Sequence, residues 1–359
     1  MKRIYYSALA VALVFTACKQ DDGLTVNGVS PQKKSLEELP EWNRKQYLLL
    51  RDTAAKEVIG EVDKIEIRPE LNRIYILDAK PRAGVVAAYD MTGHFLSTVG
   101  RRGQGPMEYI GVSDFDVDAD GNVYLLDSYK GDDNVLLYDT NFRGIKEMPL
   151  PFEAGTLCAL GRDSLLFGLE SWNTGAGAGY KLGWTNREMQ LARTDCAYTE
   201  FDPNVQIADY VFGKSRDYIV YYQPIDNAVR VFTRDGQLAK VFRFSFGGHE
   251  VPKEVRTDIQ AHWDDYERYV LLKKVLAVTD RYLIGLFWER KKDRLFVLDY
   301  QENICYMDEQ TDREETGFAC GFSGGGLVSA LTIEDEAYPD SVNNHIREER
   351  MVLEIRMME

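Results

Sequence analysis

Ile74-Tyr75-Ile76-Leu77-Asp78 is followed eleven residues later by Tyr89-Asp90, and Val123-Tyr124-Leu125-Leu126-Asp127 is followed at the same spacing by Tyr138-Asp139. The second phrase begins 49 residues after the first. Each opening run is rich in β-branched, aromatic and leucine side chains, is too short for a buried helix, and ends on a turn residue. It reads as a strand. A unit of short strands recurring at this period cannot bury its own apolar faces and must stack on copies of itself. That is how a β-propeller appears in sequence.

Working outward, strand-like runs group into units over 62–99, 113–150, 156–193, 210–244, 275–307 and 317–356. The last unit is one strand short. A ring left open exposes two sheet edges, and exposed edges invite aggregation. The isolated run Tyr47-Leu48-Leu49-Leu50 can supply the missing strand beside the C-terminal one. The expected fold is therefore all-β, a six-bladed propeller over 46–359 closed by an N-terminal strand. Between the fourth and fifth units, Val255, Ile259, Trp263, Tyr266 and Val270 recur at helical spacing after Pro252, which predicts a helical insertion over 252–272.

The first 17 residues read as a signal peptide, with Lys2 and Arg3, an apolar run Ile4 to Phe15, and Thr16-Ala17 before Cys18. This resembles a bacterial lipobox, which implies cleavage before Cys18 and lipidation of its sulfur. An uncleaved anchor or plain secretion are the alternatives, and the run is shorter than the roughly 20 residues that span a membrane. Lys19-Gln20-Asp21-Asp22 resembles the acidic tag that carries some lipoproteins to the outer face of the outer membrane, or begins a solvated linker. Residues 18–45 are expected to be a lipidated tether. Cys158, Cys196, Cys305 and Cys320 remain, able to pair in three ways or not at all. The formal charge of −15 disfavours nucleic acid and anionic headgroups as partners, leaving the lipid as the only membrane contact.

Ile59-Gly60-Glu61-Val62-Asp63-Lys64-Ile65, Ile74–Asp78 and Gly100-Arg101-Arg102-Gly103-Gln104-Gly105-Pro106-Met107-Glu108-Tyr109 resemble the opening of six-bladed β-propeller lipoproteins similar to NHL and TolB-like propellers. The loop pattern there is G-(basic)-G-Q-G-P-G-E-Y, and Met107 replaces the last glycine. The resemblance is specific over residues 45–150 and implies a fold and a compartment, the outer membrane, with no reaction.

Chain direction sorts propeller loops onto two faces. Asp90–Gly93, Asp118–Gly121 and Arg234–Gly236 fall on one. Arg101–Tyr109, Ser128–Asp133, Ser171–Gly179, the insertion, Glu289–Asp293 and Glu334–Asn344 fall on the other. Long loops on a rigid scaffold tend to carry function. Tyr109, Tyr129, Trp172, Trp263 and Trp288 lie on or beside them, near Asp132, Asp133 and Asp293, and suit stacking on a sugar or gripping a peptide. The plainer reading is that these rings pack the insertion onto the disc. Arg101 and Arg102, in a glycine-rich loop, are candidate anion contacts, although that loop more naturally shapes a crossover between blades.

Three motifs resolve toward structure. Asp116-Val-Asp118-Ala-Asp120-Gly121, with Asp127 twelfth, has EF-hand spacing, but the following residues read as a strand, so calcium is not expected and no cofactor or metal is assigned. Gly321-Phe322-Ser323-Gly324-Gly325, then Asp335 or Asp340, then His345, has hydrolase order without the strand–helix context of a nucleophile elbow. The four histidines form no metal-spaced pair, while Asp114, Asp116 and Asn227 are conceivable channel ligands. The expected function is a lipid-anchored envelope propeller binding a glycan, peptide or partner protein through its long-loop face. The rivals are a propeller hydrolase or lyase with its site at the central channel, and a platform subunit of an uptake complex.

Overall fold

The fold is taken from a computed structural model. It describes residues 26–39, 42, 44–51, 59, 62–79, 84–129, 131–161, 164–200, 202, 210–224, 226–258, 261–290, 292–308, 319–320, 326–331 and 333–358. The expected signal peptide and Cys18 lie outside them.

Strands β1 (Val26–Val29), β2 (Gln32–Lys33) and β3 (Lys45–Leu49) precede the ring. Blade one is β4 (Lys64–Arg68), β5 (Arg73–Asp78), β6 (Val85–Tyr89) and β7 (Phe95–Thr98), followed by a small parallel pair, β8 (Arg101–Arg102) and β9 (Glu108–Tyr109). Blade two is β10 (Asp114–Val117), β11 (Val123–Asp127), β12 (Asn134–Tyr138) and β13 (Gly144–Pro149). Blade three is β14 (Ala154–Gly161), β15 (Ser164–Leu169), β16 (Tyr180–Thr185) and β17 (Leu191–Ala197). Blade four is β18 (Phe212–Lys214), β19 (Tyr218–Gln223), β20 (Ala228–Thr233) and β21 (Leu238–Phe244). Blade five is β22 (Val270–Val278), β23 (Tyr282–Glu289), β24 (Lys292–Asp299) and β25 (Ile304–Met307). Blade six takes β26 (Ala319–Cys320), β27 (Gly326–Leu331) and β28 (Val352–Met357) from the C-terminus and β3 from the N-terminus. The closing register runs antiparallel from Val352 opposite Leu49 to Arg356 opposite Lys45.

The opening repeat explains the core. Alternate residues of a strand face opposite sides of its sheet. Ile74 and Ile76 pack toward Val328 and Leu353 of blade six, while Tyr75 and Leu77 pack toward Phe115 and Leu125 of blade two. Both faces are buried, so the strand is apolar throughout rather than alternating. Among the described residues, an apolar cluster fills each of the six gaps between blades. Each buried aliphatic or aromatic side chain contributes about 1.5–3 kcal/mol.

Three expectations are corrected. The apolar spacing over 252–272 does not make one helix. It yields α1 (Lys253–Arg256), a 3-10 turn over Trp263–Arg268, and then β22, which already begins at Val270. Val255 and Tyr266 still reach the core, packing with Val251 and Leu271, but the run Val270-Leu271-Leu272 pairs with blade five instead of extending a helix. The segment expected as tether is also part of the disc. β1 adds in parallel to β21 and β2 to β25, covering the outer edges of blades four and five, and Leu36 and Trp42 are buried between blades five and six. A second helix, α2 (Asp340–Arg347), lies where a loop was expected. It buries Val342, His345 and Ile346, and His345 Nε2 donates to the Leu50 carbonyl at 2.6 Å. Gly321–Gly325 lie outside the described residues.

Candidate functional site

The inner strands line the axis, and their alternation puts every second residue there. From blade one these are Lys64, Glu66 and Arg68, from blade two Asp114 and Asp116, from blade three Thr156 and Cys158, and from blade four Lys214. Lys64 Nζ donates to Asp114 Oδ1 and to the Phe115 carbonyl, both at 2.7 Å. The other oxygen of Asp114 accepts from Thr156 Oγ1 and from the Leu157 amide at 2.9 Å. Asp116 accepts from the Ala159 amide at 2.6 Å and from Lys214. Lys214 Nζ also pairs with Glu66 at 3.0 Å, and Arg68 donates to the Val117 carbonyl at 2.8 Å.

Burial alone drives Lys64 toward the neutral amine, but Asp114 and Asp116 outweigh it and hold the ammonium above the usual lysine range. Lys214 is raised by the same balance, with Asp116 and Glu66 as its anions. Asp116 is held well below the carboxylate range because Lys214 and Lys64 overcome its burial. Burial pushes Glu66 up to about 7 against the pull of Lys214. Cys158 is pushed up to about 12 by burial, with Asp116 adding to it, which leaves a protonated, unreactive thiol. These carboxylates are neutralised by the chain's own cations, and salt bridges join blades one, two and four across the axis. Among the described residues no group of His, Cys, Asp and Glu is arranged to hold a metal ion.

Above this plug lies a cavity of about 590 Å³, on the face where inner strands begin and second strands end. Tyr210 belongs to its lining and sits 5.8 Å from Lys64 Nζ, which places the cavity over the charged axis. Tyr129 and Trp172 both line it, 54% and 45% exposed. Asp127, at the end of β11, sets the first. Its carboxylate accepts from the Ile110 amide at 2.8 Å and the Tyr129 amide at 3.0 Å, turning the chain so that the Tyr129 ring lies over Gly111. A Cβ on Gly111 would come within 2.8 Å of that ring. Buried Asn173 sets the second, accepting from the Gly175 amide at 2.9 Å and the Glu153 amide at 3.1 Å and donating to the Ala176 carbonyl at 3.0 Å. Asp63, Asp133, Glu153 and Glu170 add carboxylates to the wall.

The structure thus brings together two of the seven expected ligand contacts, Tyr129 and Trp172, and places Arg101, Arg102, Tyr109 and Trp288 elsewhere. Tyr109 is 2% exposed, in the core between blades one and two, and has no surface to offer. Trp288 is half-buried against Val251, Val255, Tyr266 and Leu271, with Lys273 Nζ 5.2 Å from its ring, so it packs the insertion onto blade five. Trp263 begins the 3-10 turn, and its side chain lies outside the description. Arg101 pairs with Glu108, whose carboxylate also accepts from the Gly105 amide at 2.8 Å. The anion held by this glycine-rich loop is its own, and Arg102 pairs in β8 opposite Tyr109. Asp293 is paired with Lys273 at 2.7 Å, and Asn227 caps the Leu272 amide at 2.9 Å. Asp118 of the EF-hand-like run accepts from the amides of Asp120 and Asn122, both at 2.9 Å, in a turn between strands.

Glu153, Glu170 and Asp63 were not anticipated. Their signal is positional: Asp63 and Glu153 immediately precede inner strands, and Glu170 immediately follows a second strand. In a propeller both positions open on the same mouth.

The profile of the family described as "Domain of unknown function (DUF4934)" matches residues 52–338. No curated protein matches the sequence. Among solved structures, a protein of Bacteroides fragilis NCTC 9343, described as a candidate exported protein, is 18% identical and superposes with a TM-score of 0.70. The match covers 93% of this chain and 100% of that one. A member of the DUF4221 family from Bacteroides vulgatus ATCC 8482 is 9% identical with a TM-score of 0.56, covering 87% of this chain and 96% of its own.

Proposed function

The chain belongs to the DUF4934 family, and from the geometry of its mouth we propose that it is an envelope-anchored propeller that binds a glycan, a peptide or a partner protein. Lipidation of Cys18 would hold it to the outer membrane. That part of the reading is supported by the Lys2–Cys18 segment and by the export assigned to the B. fragilis protein. The observation that carries the binding reading is a contrast. The axial carboxylates are occupied by Lys64, Lys214 and Arg68, whereas Tyr129 and Trp172 stand exposed in a recess of ligand size. Large exposed aromatic rings rimming a cavity are what a binding surface needs and a packed core does not.

The rival, a hydrolase or lyase acting at the channel, draws on one observation, the buried Glu66 carboxyl pushed up to about 7 and so poised near neutrality. Capture from solubilised envelope membranes, followed by glycan and peptide arrays, separates the two. Binding predicts a retained ligand whose capture falls with Tyr129→Ala and Trp172→Ala and is indifferent to Glu66→Gln. Turnover of an array substrate that is lost in Glu66→Gln and kept in Trp172→Ala would replace the binding reading with the enzymatic one.

A further inference from the structure

We infer that the mouth cavity receives a cationic group, an ammonium or guanidinium, between the Tyr129 and Trp172 rings and the Glu153 carboxylate. The inference rests on reading this cavity as the ligand site, and it names the ligand chemistry.

The wall carries Asp63, Asp133, Glu153 and Glu170, and no Lys, Arg or His stands among its described lining residues. Two of these acids are spent on the fold. Asp63 accepts from the Ala79 amide at 2.7 Å, and Asp133 from the Ala154 amide at 2.8 Å. Glu153 is different. Its Oε2 is shut from solvent and accepts no hydrogen bond. A carboxylate oxygen in that state forfeits its hydration and gains nothing in return; Glu153 as a whole is only part-buried, so turning its carboxyl toward a donor brought by a ligand recovers the loss. The acids also crowd one another. Burial raises the Asp133 carboxyl against the pull of the Ala154 amide, and the charges of Glu153, Asp127 and Asp132 raise it further. A cation relieves that repulsion, and a neutral hydroxyl donor does not.

The two rings point to the same chemistry. An exposed aromatic face attracts a cation through its quadrupole, most strongly for Trp, and the preference grows as the cation is desolvated. A recess combining aromatic faces with an unsatisfied carboxylate therefore discriminates charge as well as shape. The formal charge of −15 concentrates cations near the protein before they dock.

The test is calorimetric titration of the full chain in detergent with four probes: agmatine, a capped Gly-Arg-Gly peptide, the same peptide with citrulline for arginine, and the neutral sugar N,N′-diacetylchitobiose. The arginine peptide is expected to bind at least about tenfold more tightly than its citrulline isostere, with affinity falling as salt rises. Glu153→Gln and Trp172→Ala should each weaken the arginine peptide by roughly tenfold while thermal unfolding is unchanged. Agmatine binding as well as the peptide marks a small free cation as the ligand class; peptide binding alone marks a side chain of a polypeptide. Equal affinity for the arginine and citrulline peptides, or N,N′-diacetylchitobiose binding that depends on Trp172, overturns the cation while leaving the cavity as the site. No binding of any probe, together with envelope capture unaffected by Trp172→Ala, overturns both.

Discussion

Lys214 Nζ, on the inner strand of blade four, lies 3.0 Å from Glu66 Oε1 on the inner strand of blade one. These residues are 148 apart in sequence and meet across the axis of the ring. The same ammonium pairs with Asp116 of blade two. One side chain thus ties three blades at the point where a propeller enzyme would keep an open polar centre. This is why the mouth above the axis, and not the axis itself, is the better candidate for ligand contact.

Removing that ammonium leaves two buried carboxylates facing each other. Lys214→Met is expected to cost about 3–5 kcal/mol, the range for breaking a buried pair from one side. The double variant Lys214→Met, Glu66→Gln should recover part of the loss, because one orphaned charge is gone. Urea unfolding of the two variants checks both statements.

Glu66 gives the molecule a pH dependence of definite sign. Its folded value, about 7, lies above its ordinary 4.5, so the native state holds this proton more tightly than the unfolded chain does. That contribution is whole below pH 4.5 and is lost as pH rises through 7, in total on the order of 3 kcal/mol. Asp116 acts oppositely, being depressed, and its contribution is lost only as pH falls below the usual carboxylate range. Glu66→Gln should therefore gain on the parent protein across pH 4.5 to 7 and show a constant difference above it. Denaturant titrations at half-unit pH steps would reveal a flat difference if the shift were absent.

Much of this architecture was legible in the chain and part was not, for identifiable reasons. The strands of blades one and two announce themselves because both faces are buried, leaving unbroken apolar runs. The closing strand was inferable because a ring has no spare edge. The insertion misled because Val255, Tyr266 and Val270 are spaced alike whether they share one helix or are gathered from two turns and a strand. Of the aromatic candidates, Tyr129 and Trp172 follow second strands and open on the mouth, whereas Tyr109 and Trp288 belong to paired strands that the core absorbs. Exposure depends on the tertiary neighbours of a loop, which residue type alone does not encode. The charged axis was visible only as alternation, Lys64-Ile65-Glu66-Ile67-Arg68 beside Asp114-Phe115-Asp116.

The glycine-rich crossover makes its own prediction. Gly100 has φ +67°, and a Cβ there would meet the Tyr138 hydroxyl, which donates to the Met107 carbonyl at 2.7 Å. Gly100→Ala should lose about 2–4 kcal/mol, combining left-handed strain with a displaced buried hydrogen bond. Gly131 also has positive φ, +100°, but no atom of the described residues lies within 4 Å of its Cβ position. Gly131→Ala should lose only the backbone cost of about 1–2 kcal/mol. Thermal melts of the pair isolate the contribution of the contact. Met107 itself sits at φ +59°, which accounts for the glycine that the resembling loops carry there.

Two tryptophans that look equivalent in sequence should behave differently. Trp172 is 45% exposed at the mouth, so Trp172→Ala should shift unfolding by no more than about 0.5 kcal/mol. Trp288 packs against Leu271 and Tyr266 and holds the insertion to blade five, so Trp288→Ala should cost about 1–3 kcal/mol. Ligand capture should follow the reverse order, falling for Trp172→Ala and holding for Trp288→Ala at temperatures where that variant remains folded. Parallel melting curves and capture assays on the two variants decide the matter. Equal destabilisation by both would place Trp172 in the packed structure and remove the ring on which the mouth reading depends.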